Sequence, residues 1–121
     1  MIIIHGEDAH KSYERLMDIT NDLLTKQFDV ISQEANEIDI TILRQELGSA
    51  GLFGSSKCFV IKNLLSGTKS KNKDKLIETL GQNTPHEIIL WENKSLGVTA
   101  LKGFTKAKIE NFSISPVIFK F

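Results

Sequence analysis

Only one cysteine occurs in the sequence, Cys58, so no disulfide can close within the chain, and that usage fits a reducing cytosol. A surplus of either charge is missing as well, because fifteen Lys and Arg offset fifteen Asp and Glu. The field of the whole chain therefore steers toward neither nucleic acid nor an anionic membrane, and either role would need a local patch. No apolar run approaches the ~20 residues that span a bilayer. The opening residues Met1 to Asp8 hold no basic leader and only a short apolar run, which reads as a first strand and not as a signal peptide. His5, His10 and His86 are scattered, and no Cys or His stands at zinc-ligand spacing. No metal or other cofactor is expected.

What is present suits one globular domain. Apolar residues make up 40% and charged residues 25% of the 121 positions, too apolar for a disordered chain. At this length folding removes roughly two-thirds of the unfolded surface from water, enough for a single core without staples.

Short β-type runs alternate with helical patterns. Ile2 to His5 is a continuous apolar run, as a strand covered on both faces requires. Glu7 and Asp8 suit the first turn of a following helix, in which Tyr13, Leu16, Met17, Leu23 and Leu24 recur at helical spacing. Phe28 to Ser32 reads as a second strand. Asp39 is an N-cap for a helix carrying Ile40, Leu43 and Leu47, with Gly48 as its stop. Lys57 to Lys62 is a third strand. The stretch from Leu65 to Lys75 holds Lys69, Lys71, Lys73 and Lys75 without an apolar residue after Leu65, and reads as a solvated loop sooner than as a phosphate-binding patch. Leu76, Ile77 and Leu80 then make a short helix closed by Gly81 and Pro85, Glu87 to Trp91 a fourth strand, Leu96 to Phe104 a helix, and Ala107 to Phe112 a fifth strand. Strands separated by helix-length segments predict a five-stranded, mainly parallel sheet with helices on both faces. This α/β unit is expected to span residues 1–114. Ser115 and Pro116 start a further helix, with Val117, Ile118, Phe119 and Phe121 as uncovered apolar surface. Residues 115–121 are thus expected to lead into a downstream domain.

The turn after the first strand is where a nucleotide domain would cradle phosphate, with Gly, four residues, then Gly-Lys-Ser/Thr. Here Gly6 to Ser12 is one residue short, lacks the second glycine and places Glu7 and Asp8 beside the would-be phosphates. The third strand ends in Lys62-Asn63, where acids would serve Mg²⁺. Those same two residues exclude a phospho-receiver, which needs an aspartate there. Glu92 likewise stands after the fourth strand, where a receiver would carry Ser or Thr. His5 at a strand end reads as a packed, hydrogen-bonded residue. Cys58 reads as a small core residue, because no activating base can be named for it.

One segment resists a packing-only account. Leu52 and Phe53 sit in the middle of the Gly- and Ser-rich run from Gly48 to Ser56. They either tuck under the loop and cap the core or form an exposed pair that plugs into a partner's pocket.

The run Leu47-Gly-Ser-Ala-Gly-Leu-Phe-Gly-Ser-Ser-Lys-Cys-Phe-Val-Ile-Lys-Asn63, following the first strand Ile-Ile-Ile-His-Gly-Glu-Asp and preceding Glu87-Ile-Ile-Leu-Trp-Glu-Asn93, resembles the N-terminal domain of the bacterial DNA polymerase III delta-subunit family. That resemblance implies an AAA+-like fold with a degenerate nucleotide site and no ATPase activity. It also implies a cytoplasmic clamp-loader subunit that binds the ring-shaped sliding clamp and helps open it. Further implied partners are the other clamp-loader subunits, reached through downstream domains, with DNA contacted only indirectly. Leu52 and Phe53 match the Leu-Phe pair that enters the clamp's pocket, and Ser49, Ala50, Gly51 and Gly54 are the implied flanking contacts. Two alternatives stay open: an active AAA+ ATPase fragment, and an unrelated doubly wound interaction domain in which Leu52 and Phe53 are core.

Overall fold

The structure, a computed structural model, describes residues 1–48, 56–66, 69–81, 86–104 and 106–113. Five strands alternate with four helices: β1 (Ile2–His5), α1 (Ala9–Thr25), β2 (Asp29–Glu34), α2 (Ile40–Gly48), β3 (Lys57–Lys62), α3 (Lys71–Leu80), β4 (Glu87–Trp91), α4 (Val98–Leu101) and β5 (Lys108–Asn111). A 3₁₀ turn, Ala35–Glu37, follows β2. The strands form one sheet in the order β2-β3-β4-β1-β5, and every adjacent pair is parallel. The fold is α/β, as the alternation predicts. The order differs from the 2-1-3-4-5 of the receiver and flavodoxin type, so topology and residues dismiss that reading independently.

The order also decides where the helices lie. The chain moves one way along the sheet from β1 to β2 and the other way through β3, β4 and β5. Right-handed crossovers then put α1 on one face and the later helices on the other. The packing agrees. Leu16 of α1 lies against Ile4, Cys58, Val60 and Ile89. Leu43, Leu47, Leu76 and Leu80 of α2 and α3 lie against Ile3, Phe59, Ile61, Ile88 and Leu90, with Leu101 of α4 at the margin. Side chains alternate across a strand, so the continuous apolar runs of β1, β3 and β4 feed both cores at once. Cys58 is fully buried among apolar neighbours, and burial raises its thiol to about 11, which leaves it an unreactive packing residue.

Several local expectations are corrected. Glu7 and Asp8 do not enter the first turn of α1: Asp8 is its N-cap, with Oδ1 accepting the Lys11 N–H at 3.1 Å, and Glu7 precedes it. Of the residues at helical spacing in α1, Leu16 is buried but Tyr13 and Leu24 are 42% and 54% exposed. Tyr13 instead meets Trp91 edge-on, with ring centroids 5.8 Å apart. β2 runs on to Glu34. The lysine-rich stretch is not loop throughout: α3 starts at Lys71, where the Ser70 hydroxyl accepts the Lys73 N–H. Its first turn places no side chain in the core, which is why no apolar residue marks it. The Asp39 cap stands as expected, accepting the N–H groups of Thr41 and Ile42. The expected helix from Ser115 onward and the Pro85 turn lie outside the described residues. Among the described residues, no helix is long and apolar enough to cross a membrane.

Candidate functional site

Three places on this frame bear on function, and the turn from β1 into α1 is the first. His5 ends β1 buried, and its Nδ1 accepts the Leu96 N–H at 3.0 Å, so the imidazole is a packed, hydrogen-bonded residue as expected. Desolvation lowers its pKa, which keeps it neutral and able to accept. Gly6 follows with a φ of 136°, and a Cβ there would stand 2.3 Å from the Phe112 carbonyl oxygen. The turn is therefore wedged against the chain leaving β5.

Its backbone donors are engaged elsewhere. The Gly6 N–H goes to the Lys94 carbonyl at 3.2 Å, the Asp8 N–H to the Phe112 carbonyl at 2.9 Å and the Ala9 N–H to the Glu7 carbonyl at 3.0 Å. The Lys11 N–H goes to Asp8 Oδ1, and the Ser12 N–H to the Asp8 carbonyl. The Ser12 hydroxyl donates to the Ala9 carbonyl and accepts from the Trp91 indole at 3.1 Å. A phosphate cradle needs these N–H groups converging on an open space. Here five of them close the turn onto the protein itself.

The second place is where β3 and β4 leave the sheet. Asn63 takes a positive φ of 58°, a region that Asn tolerates better than most residues, and the chain turns back so that three successive N–H groups face inward. The acceptor is Glu92, which is fully buried. Its Oε2 takes the Leu64 N–H at 3.1 Å, and its Oε1 takes the Leu65 and Ser66 N–H groups at 3.0 and 2.9 Å and the Ser66 hydroxyl at 2.9 Å. Burial pushes the Glu92 carboxyl up from its ordinary range, and these four donors oppose that rise without cancelling it. The exit of β3 is a backbone nest of the anion-binding kind whose anion belongs to the protein.

Beside this nest opens a polar cleft of about 240 Å³ at the carboxyl edge of β2, β3 and β4, with Glu34, Asn63, Lys73 and Lys94 among its walls. The Asn63 carboxamide donates to Glu34 Oε2 at 3.3 Å and accepts the Asn93 N–H at 3.3 Å. The Lys73 ammonium donates to the Ser66 carbonyl at 3.1 Å. Lys62, at the end of β3, turns away to the other face, with its ammonium 5.7 Å from the centre of the Tyr13 ring.

The third place is the Leu-Phe segment. Ser49, Ala50, Gly51, Leu52, Phe53 and Gly54 all lie outside the described residues, but the points where the chain leaves and re-enters the fold are described. Leu47 is buried in the core at the end of α2. On the far side the Ser56 carbonyl accepts the Asp29 N–H at 3.0 Å, and the Lys57 N–H donates to His86 Nδ1 at 3.1 Å. His86 is itself buried, edge-on to Phe59. Both feet are fixed at the amino edge of the sheet, opposite the edge that carries the cleft.

Sequence reasoning missed Glu92 and His86 as organising residues. The signal for Glu92 was an acid directly after the apolar run Ile88 to Trp91, a place where a carboxylate needs donors. His86 carried no local signal. Among the described residues no group of three His, Cys, Asp or Glu could hold a metal ion. Comparisons with known proteins found no matching family model, no matching curated protein and no matching solved structure.

Proposed function

We propose that this chain is a non-catalytic, AAA+-like module of a bacterial clamp loader, which grips the sliding clamp through Leu52 and Phe53 and does not hydrolyse nucleotide. The observation that carries the non-catalytic part is the β1–α1 turn, in which five backbone N–H groups and the Ser12 hydroxyl are spent on internal partners and Gly6 is wedged against Phe112. An open parallel sheet places ligands at the carboxyl ends of its strands where crossovers diverge. In this sheet that point lies between β1 and β4, beside the closed turn. The clamp-gripping part rests on the sequence resemblance. The fixed feet of the 49–55 segment support it, since a short connection between anchored ends lowers the ordering cost of presenting two large apolar side chains.

The test is a double substitution, Leu52→Ala with Phe53→Ala, with affinity for the host's sliding clamp and thermal stability measured on the same preparation. Interface energy concentrates in a few anchors, so clamp binding is expected to weaken roughly a thousandfold with the melting temperature nearly unchanged. A collapse of stability with unchanged affinity per folded molecule would assign the pair to the core and overturn the reading. Calorimetry with ATP and Mg²⁺ is expected to give no binding heat, and a micromolar dissociation constant would favour the active-ATPase alternative.

A further inference from the structure

We propose that the polar cleft at the carboxyl edge of β2, β3 and β4 is a binding site for a small oxyanion, a carboxylate or a phosphate group, held by Lys94 and Lys73 and oriented by the Asn63 carboxamide. The cleft is small for a whole nucleotide, since ligand pockets run from roughly 300 Å³ upward, and its 240 Å³ suits a single charged group.

Its walls are preorganised. Asn63 is held at a positive φ, a sparsely populated state that persists where the surroundings fix it. Its carboxamide is fixed at both ends, with Nδ2 on Glu34 and Oδ1 on the Asn93 N–H. The floor beneath is the Glu92 nest, which holds residues 64–66 in place. Lys73 is tied to the Ser66 carbonyl through one bond, and an ammonium has three N–H groups to give. Lys94 lines the same space, and its ammonium meets no carboxylate among the described residues. The one acid on the lining, Glu34, has an oxygen occupied by Asn63. Two cations, Lys73 and Lys94, face Glu34 in the lining, while the Glu92 carboxylate below is taken up by its own four donors. Lys73 and Asn63, already held by internal bonds, lose less side-chain order on meeting an oxyanion than free surface side chains do.

The experiment is an NMR titration of the protein with inorganic phosphate at neutral pH and constant ionic strength, with a parallel titration using acetate. Saturable shifts are expected at the Asn63 and Asn93 amides and at Lys94. Saturation by both ions identifies a general oxyanion site, and by phosphate alone a tetrahedral one. Lys94→Ala is expected to weaken binding by roughly fivefold or more while leaving the rest of the spectrum in place, since Lys94 is exposed. Glu34→Gln keeps an oxygen for Asn63 but removes a repelling charge, so affinity is expected to hold or rise. Shifts that do not saturate, shifts spread equally over Lys69 and Lys71, or a loss on Glu34→Gln as large as on Lys94→Ala would each overturn the proposal.

Discussion

The turn after β1 and the turn after β3 leave the same edge of the sheet, yet they satisfy their backbone N–H groups in different ways. The first gives them to carbonyls and the Asp8 side chain, including the carbonyls of Lys94 and Phe112 just beyond β4 and β5. The second gives three in a row to one buried carboxylate, Glu92. The carboxyl edge of a parallel sheet naturally turns N–H groups toward an anion. In one turn this protein has closed the space where the anion would sit, and in the other it supplies the anion itself. At both turns the backbone donors of this edge are spent within the protein, and the donors that remain there are side chains.

Substitution can separate the two solutions. The largest effect is expected at Glu92→Leu, which keeps the site apolar but strips three N–H groups of their acceptor. Each buried orphan donor costs roughly 1–3 kcal/mol, so a loss of about 3–5 kcal/mol in denaturant unfolding is expected. A loss under about 1 kcal/mol would mean that the exit of β3 holds itself without the carboxylate. Gly6→Ala comes next. It places a methyl against the Phe112 carbonyl at a φ that L-residues avoid, and is expected to cost about 2 kcal/mol or more. If that variant is as stable as the wild type, the wedge between the β1 turn and the chain beyond β5 is looser than the geometry implies.

The smallest effect sharpens the comparison by moving to a partly exposed ion pair that bridges α1 and β5. The Arg15 Nε donates to Glu110 Oε1 at 2.9 Å, and that hydrogen bond is the first cause holding the Glu110 carboxyl below its ordinary value. A lowered acid contributes stability above its unfolded pKa of about 4.3, and that contribution disappears as pH falls through the lower folded value. Arg15→Ala is therefore expected to cost no more than about 1 kcal/mol near neutrality, given the exposure of the pair. The difference from wild type should vanish in acid, and a difference that grew on acidification would contradict the assignment.

The β3 and β4 strands were legible because both of their faces are covered, and that writes an unbroken apolar run into the sequence. β2 and β5 lie at the sheet's edges with mixed, half-exposed residues, so their limits slipped by a residue or more. The first turn of α3 was hidden because it buries nothing, although Ser70 is a capping residue that could have marked it. The missing glycine and the two carboxylates of the β1–α1 turn were readable, but not the partners that its backbone N–H groups meet. Those are carbonyls of Lys94 and Phe112, far along the chain. Glu92 was noticed only as the wrong residue for a receiver, since a sequence shows neither that a carboxylate is buried nor which N–H groups meet it.

The sheet order also has a kinetic side. β2, β3 and β4 are neighbours in sequence as well as in space, and can pair as each follows the last. β1 is held between β4 and β5, with Ile2 opposite both Ile89 and Lys108. The first of these five strands therefore waits for β4 before either of its edges is paired. Such non-local closure slows folding, and until it occurs the wholly apolar Ile2-Ile3-Ile4 run has two open edges to shield. A ribosome-bound chain short of β4 would be the species most in need of a chaperone.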